Sequence, residues 1–225
     1  MMEWTRDNVV TNLAAHHNAS RRKTLMKQGS DSDAVGVPLG ILRKLAREIG
    51  RNHALALELW ATQIVDYQLL AVMLFDPQKM DVNMTMSMLD GIVVMTLQED
   101  LIFKCLVLMP EKDKLMQCLA SKPEDHFGRA LWTFYVDQIK HKQGTNDELQ
   151  AILEVIDANL SSAQPLTQWM MNRALCEIGF GYEVFTKQAY AIGTKHGVYK
   201  EMTVAKGCTS AYAPLWMDAV LKRNV

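Results

Sequence analysis

Arginines recur every four residues at Arg43, Arg47 and Arg51, with Lys44 beside the first, inside the segment 37–76. On a helix, residues four apart stack on one face, so the three guanidiniums would form a ridge able to meet successive phosphates of a nucleic acid. Such contacts steer and position a duplex without reading its sequence. Glu48 is the only acid in that helix, so the ridge is not cancelled from within. The same residues could equally form a plain solvated face. A second basic group, Arg21, Arg22, Lys23 and Lys27, carries the same two readings. Trp132, Phe134 and Tyr135 could stack on a base or sugar, although aromatics in a long amphipathic helix more often fill a core.

Other chemistries find little support. His16 and His17 are adjacent and so diverge around a helix, and no His, Cys and acid cluster has metal-ligand spacing. There is no Ser-His-Asp pattern, phosphate-cradling glycine loop or nucleotide fingerprint. Neither a metal nor a small-molecule cofactor is expected. The four cysteines, Cys105, Cys118, Cys176 and Cys208, lie far apart and form no C-x-x-C pair. They read as buried free thiols in a reducing cytoplasm, Cys208 included. The 225 residues carry 24 Lys and Arg against 25 Asp and Glu, so any affinity for nucleic acid must come from local arrangement, not overall charge. No apolar run approaches the roughly 18–20 residues of a membrane span, and no membrane partner is expected. Fifteen methionines read as adaptable core filler.

The elements that would position these groups are short helices. Pro38 belongs in a first helical turn, and Ile41, Leu42, Leu45 and Ile49 recur at helical spacing. Gly50 then ends the helix in a left-handed conformation. Helices are expected over His53–Ala61 and Asp66–Phe75, the latter stopped by Pro77. None of the three is long enough to be stable alone, so they must stack on neighbours. Further helices are read over Met2–His16, Ala19–Gln28, Gln98–Leu108, Lys112–Ala120, Asp125–Lys140, Asp147–Leu160, Leu166–Ile178, Tyr182–Thr194 and Pro214–Leu221. Gly29–Asp33 reads as a polar mobile loop. Met80–Val94 is ambiguous, interrupted at Asp90-Gly91, with a possible short β run near Ile92–Met95. The expected fold is therefore all-α: one domain over residues 1–225, a superhelix of antiparallel helix pairs of HEAT-like or ARM type. The repetition of Leu45–Gly50 in Ala174–Gly179, each read as a helix end with a glycine stop, fits a repeat and equally fits two unrelated helix C-caps.

Longer strings carry a family resemblance. Val37–Gly50, His53–Thr62 and Leu69–Pro77, then Met171–Gly179, Tyr199-Lys200 and Lys206–Trp216, are similar to segments of the DNA alkylation repair family of AlkD-like DNA glycosylases. The resemblance implies a HEAT-like superhelix whose concave basic face holds duplex DNA, and no cofactor. It also implies a site releasing N3- or N7-alkylated purines. Such a base is already cationic and leaves readily, so a carboxylate and aromatic faces beside the nucleotide suffice to stabilise developing charge. The family's catalytic segment has an aromatic residue followed four positions later by an aspartate. Here those positions fall on Glu99 and Phe103, with Asp100 nearby and Lys104 on the same helix. Arg129 falls near the family's arginine helix, and Arg173 where a second aromatic is usual, with Trp169 one turn earlier. Ala211 stands where the family usually has proline.

Three functions follow as expectations. The first is a DNA-binding repeat protein for damaged or distorted duplexes with weak or absent glycosylase chemistry, contacting DNA through Arg43, Lys44, Arg47, Arg51, Lys104, Arg129, Trp169 and Arg173. The second is an active alkylpurine glycosylase using Glu99 or Asp100, with Trp169 as an aromatic wall. The third is a helical-repeat scaffold for another protein. A monomer is expected.

Overall fold

The structure, a computed structural model, describes residues 4–223. Its helices are α1 Arg6–Ala14, α2 Ala19–Lys27, α3 Leu39–Ile49, α4 His53–Trp60, α5 Val65–Leu74, α6 Val82–Asp90, α7 Met95–Lys104, α8 Lys112–Ala120, α9 Asp125–Lys140, α10 Asn146–Asn159, α11 Pro165–Gly181, α12 Glu183–His196 and α13 Ala213–Leu221. Two single 3-10 turns, Pro77–Lys79 and Leu106–Leu108, complete the regular structure. The Met2 end of the first expected helix lies outside the described residues. The backbone sorts into two compact units, Met1–Gln117 and Cys118–Val225.

In the first unit, α3 and α7 each pack against α5. The helix α5 is apolar nearly all round and buries Leu69, Leu70, Ala71, Val72 and Leu74, as a helix with neighbours on several sides must. Asn52 links α4 and α5 twice. Its side chain caps α4 by accepting from the Leu55 N–H at 3.1 Å, and its own N–H donates to the Leu74 carbonyl at 2.9 Å. The start of α4 thus lies beside the end of α5, an antiparallel pair. Gly50 does end α3 at positive φ, +74°, where a side chain would be strained.

A buried carboxylate sets the entry to α3. Asp66, fully buried in the first turn of α5, accepts from the N–H groups of Val35 and Gly36 with one oxygen, at 2.7 and 3.0 Å. Its other oxygen accepts from Val37 at 2.7 Å. From the other side, the Arg22 guanidinium donates to the Ala34 and Ser32 carbonyls. Gly36, at φ +81°, sits so close to α2 that a Cβ would lie 2.5 Å from the Asn18 carbonyl oxygen. The connection expected to be mobile is therefore gripped at its C-terminal end.

In the second unit, the N–H groups of Leu166 and Thr167 at the start of α11 donate to the Asp125 carboxylate at the start of α9, both at 2.8 Å. At the other end, the Tyr182 hydroxyl following α11 donates to the Ile139 carbonyl near the end of α9, at 3.0 Å. The two helices therefore run parallel. Lys195 and His196 at the end of α12 bind Asp157 near the end of α10, so these two are parallel as well. Adjacent helices α11 and α12 fold back on each other at Tyr182. Two antiparallel pairs stacked in register is the arrangement of a helical repeat.

Three local expectations are corrected. No strand occurs among the described residues, since Ile92–Val94 is a three-residue link with no neighbouring strand to pair with. Gly179 does not stop a helix. It lies inside α11, buried, where a Cβ would strike the Met217 side chain and come within 3.0 Å of Ala189, so it is a close-approach glycine and the apparent repeat of Gly50 dissolves. Cys208 is exposed, not buried, because it sits in the extended connection before α13. Cys105 and Cys176 are buried as expected, and burial pushes both thiols up, that of Cys105 to about 12.

Two outcomes follow. Asp66→Ala orphans three backbone donors and should cost about 3 kcal/mol or more, seen as a lower denaturant midpoint at unchanged slope, whereas Asp66→Asn, keeping one acceptor oxygen, should cost about half that. In a thiol titration with an aromatic disulfide at mildly alkaline pH, Cys208 should react first, and Cys105 and Cys176 only on unfolding.

Candidate nucleic-acid interface

Leu42 and Leu45 anchor α3, and on its opposite face Arg43, Lys44, Arg47 and Glu48 are exposed. The ridge is not wholly free of acids. Lys44 lies 4.0 Å from Glu48, and Arg51 lies 3.7 Å from Asp76 in the link after α5. The Asp76 N–H in turn donates to Nδ1 of His53 at 3.4 Å. Burial and then Lys79 hold His53 below its usual range, with Asp76 opposing them, so the ring stays in the neutral form that can accept this proton. Arg51 is therefore tied into the α4 and α5 junction. Among the described residues, neither Arg43 nor Arg47 has an acidic partner. These two, one helical turn apart, are exposed and available to a ligand. In the α2 group Lys23 and Lys27 are exposed, whereas the two arginines are less available. Arg22 is spent on loop carbonyls, and the Arg21 Nε is buried.

On α7, Glu99 and Phe103 are half-buried and share a face by their spacing. Asp100 and Lys104 form the next pair around the helix, at 2.6 Å. A carboxylate held by an ammonium one turn away is partly neutralised, and Lys104 gives up part of its attraction for phosphate in the same contact.

In the second unit, Trp132 and Phe134 are core residues of α9, and Tyr135, half-buried, packs its ring 5.2 Å from Trp132. Arg129 is 5% exposed, which removes it from the open surface. It lies near Tyr199. Burial pushes the Tyr199 phenol up, the Arg129 charge draws it down, and Asp125 adds to the rise. On α11, Trp169, Arg173 and Glu177 form a stripe at four-residue spacing. The Trp169 ring meets Tyr199 edge-on at 5.4 Å between centroids, and the Arg173 Nε lies 3.7 Å from the Glu177 carboxylate. Burial pushes the Glu177 carboxyl up, and Lys140 and Arg173 pull it back. Sequence reasoning placed Trp169 and Arg173 on this helix. It missed Glu177, Asn172 and Tyr199 as members of the same neighbourhood. The signal available for Glu177 was its four-residue step from Arg173.

The antiparallel pairs define a class, the HEAT-like helical-repeat proteins. One solved structure is described as "A new family of proteins related to the HEAT-like repeat DNA glycosylases with affinity for branched DNA structures". It superposes on 98% of this chain and 95% of its own with a TM-score of 0.86, at 19% sequence identity. No curated protein matches the chain. The family model for DNA alkylation repair enzymes matches residues 9–189, and the chain belongs to that family.

The Arg173 and Glu177 pair has a pH signature. A carboxyl whose folded value is raised contributes its full stability at low pH and loses it as pH rises through the folded value. Arg173→Gln removes a restraining charge, so Glu177 should rise further. As pH rises above about 4, the ordinary carboxylate range, the variant should therefore lose stability relative to the parent, read as a widening gap between their denaturation midpoints.

Proposed function

We propose that this protein binds distorted or branched duplex DNA without appreciable base-excision chemistry, acting as a monomer in the cytoplasm. The observation that carries the binding is the pair Arg43 and Arg47, exposed on one face of α3 and without an acidic partner among the described residues. Two such guanidiniums a turn apart suit successive phosphates, a contact that supplies affinity regardless of sequence. Arg173 on α11 offers a further cation, and Lys44 and Arg51 add charge weakened by Glu48 and Asp76. The affinity for branched DNA described for the structural relative supports the choice of ligand.

The weak chemistry is argued from α7. Relative to the family pattern, acid and aromatic are exchanged, with Glu99 first and Phe103 four residues later. Four residues span about 6 Å along a helix axis, so the carboxylate would stand about that far from where a developing positive charge needs it. Misplacements of only about 1 Å already cost orders of magnitude in rate. Asp100, on a different rung and bound to Lys104, is no better aimed.

Fluorescence anisotropy with a labelled four-way junction and a linear duplex of equal length tests the binding. Both should bind at low salt, the junction more tightly. Arg43→Gln with Arg47→Gln should lower the slope of log K against log salt by about two, near one for each phosphate no longer neutralised. Absence of affinity at low salt would remove the proposal. Incubation with DNA containing N7-methylguanine or N3-methyladenine should give no abasic sites above background. Release abolished by Glu99→Gln would instead establish the active-glycosylase reading.

A further inference from the structure

The connection between α12 and α13 is fastened at both ends to one stretch of α11. At its start, Tyr199 packs edge-on against Trp169. Tyr199 is held at φ +64°, a conformation rare for a bulky residue, which persists only where packing enforces it. At its end, the buried Asn172 donates its side-chain N–H to the Ala211 carbonyl at 2.9 Å. Trp169, Asn172 and Arg173 are three and four residues apart, so both pins flank the Arg173 position on the helix surface.

Between the pins, residues 200–209 are all exposed. The chain turns back at Gly207, φ +87°, where the Cys208 N–H donates to the Ala205 carbonyl at 3.0 Å. Met202 and Val204 stand at alternate positions with 45% and 36% of their surface in water. Lys200 and Lys206 bracket them, and Glu201 is the one acid of the segment. Apolar side chains left partly in water would gain further by entering an apolar site. Proteins that open a base step use this combination, an apolar wedge between bases and cations on the neighbouring phosphates. A loop pinned at its base loses less freedom on insertion than a free one.

We propose that Met202, backed by Val204, enters the opened base step at a DNA branch point, with Lys200 and Lys206 on the flanking phosphates. The inference rests on the DNA-binding reading above and assigns this loop the preference for branched over linear DNA.

The test uses the full chain, a four-way junction carrying 2-aminopurine at the branch point, and the matched linear duplex. The wild-type protein should raise the 2-aminopurine fluorescence and bind the junction more tightly. Met202→Ser with Val204→Ser, both at exposed positions, should abolish the rise and lower the junction-to-duplex affinity ratio roughly tenfold, leaving linear affinity within about twofold. Met202→Leu should keep both properties. Retention of the fluorescence rise and the ratio by the double serine variant would overturn the wedge, as it would for a loop that docks protein. An equal loss on both DNAs would overturn it too, marking the loop as a general contact. Failure of the wild type to bind either DNA removes the binding reading and the wedge together, whereas salt-dependent binding with no junction preference removes the wedge alone.

Discussion

The Asp66 carboxylate, with three backbone N–H groups converging on it, is the contact on which the first unit's surface depends. Val35, Gly36 and Val37 lead directly into α3, and α3 carries the arginine ridge. A buried carboxylate is costly unless its lone pairs are filled, and three short hydrogen bonds from fixed amides fill them. The same bonds satisfy the donors of a connection that has no other regular partner. Arg22 takes the Ser32 and Ala34 carbonyls of that connection and His17 lies against the Val35 carbonyl, so both polarities of the backbone are met by side chains. The entry to α3, the helix that carries Arg43 and Arg47, is thereby set by a residue on another helix.

The second unit solves a similar problem in a similar way. Asp125 holds the first turn of α11 through two backbone N–H groups, and Thr167 Oγ donates back to the Asp125 carbonyl. The fit demands Gly128, where a Cβ would collide with Thr167 Oγ. Because α9 and α11 are locked at this end and by Tyr182 at the other, the stripe of Trp169, Arg173 and Glu177 has a fixed register against α9. Tyr199 then completes the corner, its ring edge against Trp169. In both units an acid in the first turn of one helix organises a neighbouring chain segment, and the residues exposed to solvent inherit that order.

Helix positions were largely legible in the sequence because apolar spacing, prolines and glycine stops act locally. Leu42, Leu45 and Gly50 reveal α3 without reference to anything distant. The clamps were not legible. Asp66 sits in an apolar run and reads as an ordinary first-turn acid, since nothing in its spacing names a loop thirty residues earlier. Gly179 misled for the same reason. Its identity is a response to Met217 and Ala189 across the packing, not to the end of its own helix. Cys208 misled because a free thiol in a reducing setting was read as buried, whereas the connection to α13 stands in solvent. On the candidate interface, the ridge was readable as a periodic charge. Its partial neutralisation by Asp76 was not, because the acid arrives from a different element.

Binding and catalysis place different demands on such a scaffold, and the proposed function rests on that difference. Attraction between a guanidinium and phosphate extends over about 8 Å at physiological ionic strength, so a ridge tolerates shifts of a few ångströms. Stabilising the positive charge that develops on the sugar as an alkylated base departs does not, because the carboxylate must meet charge that appears only at the reacting atoms. Exchange of acid and aromatic along α7 is thus nearly neutral for the helix, since Glu99 and Phe103 remain on one half-buried face. For the chemistry it is a displacement of a full turn. On the proposed reading, a repeat protein keeps the packing and the charge that suit DNA while losing the placement that would release a base.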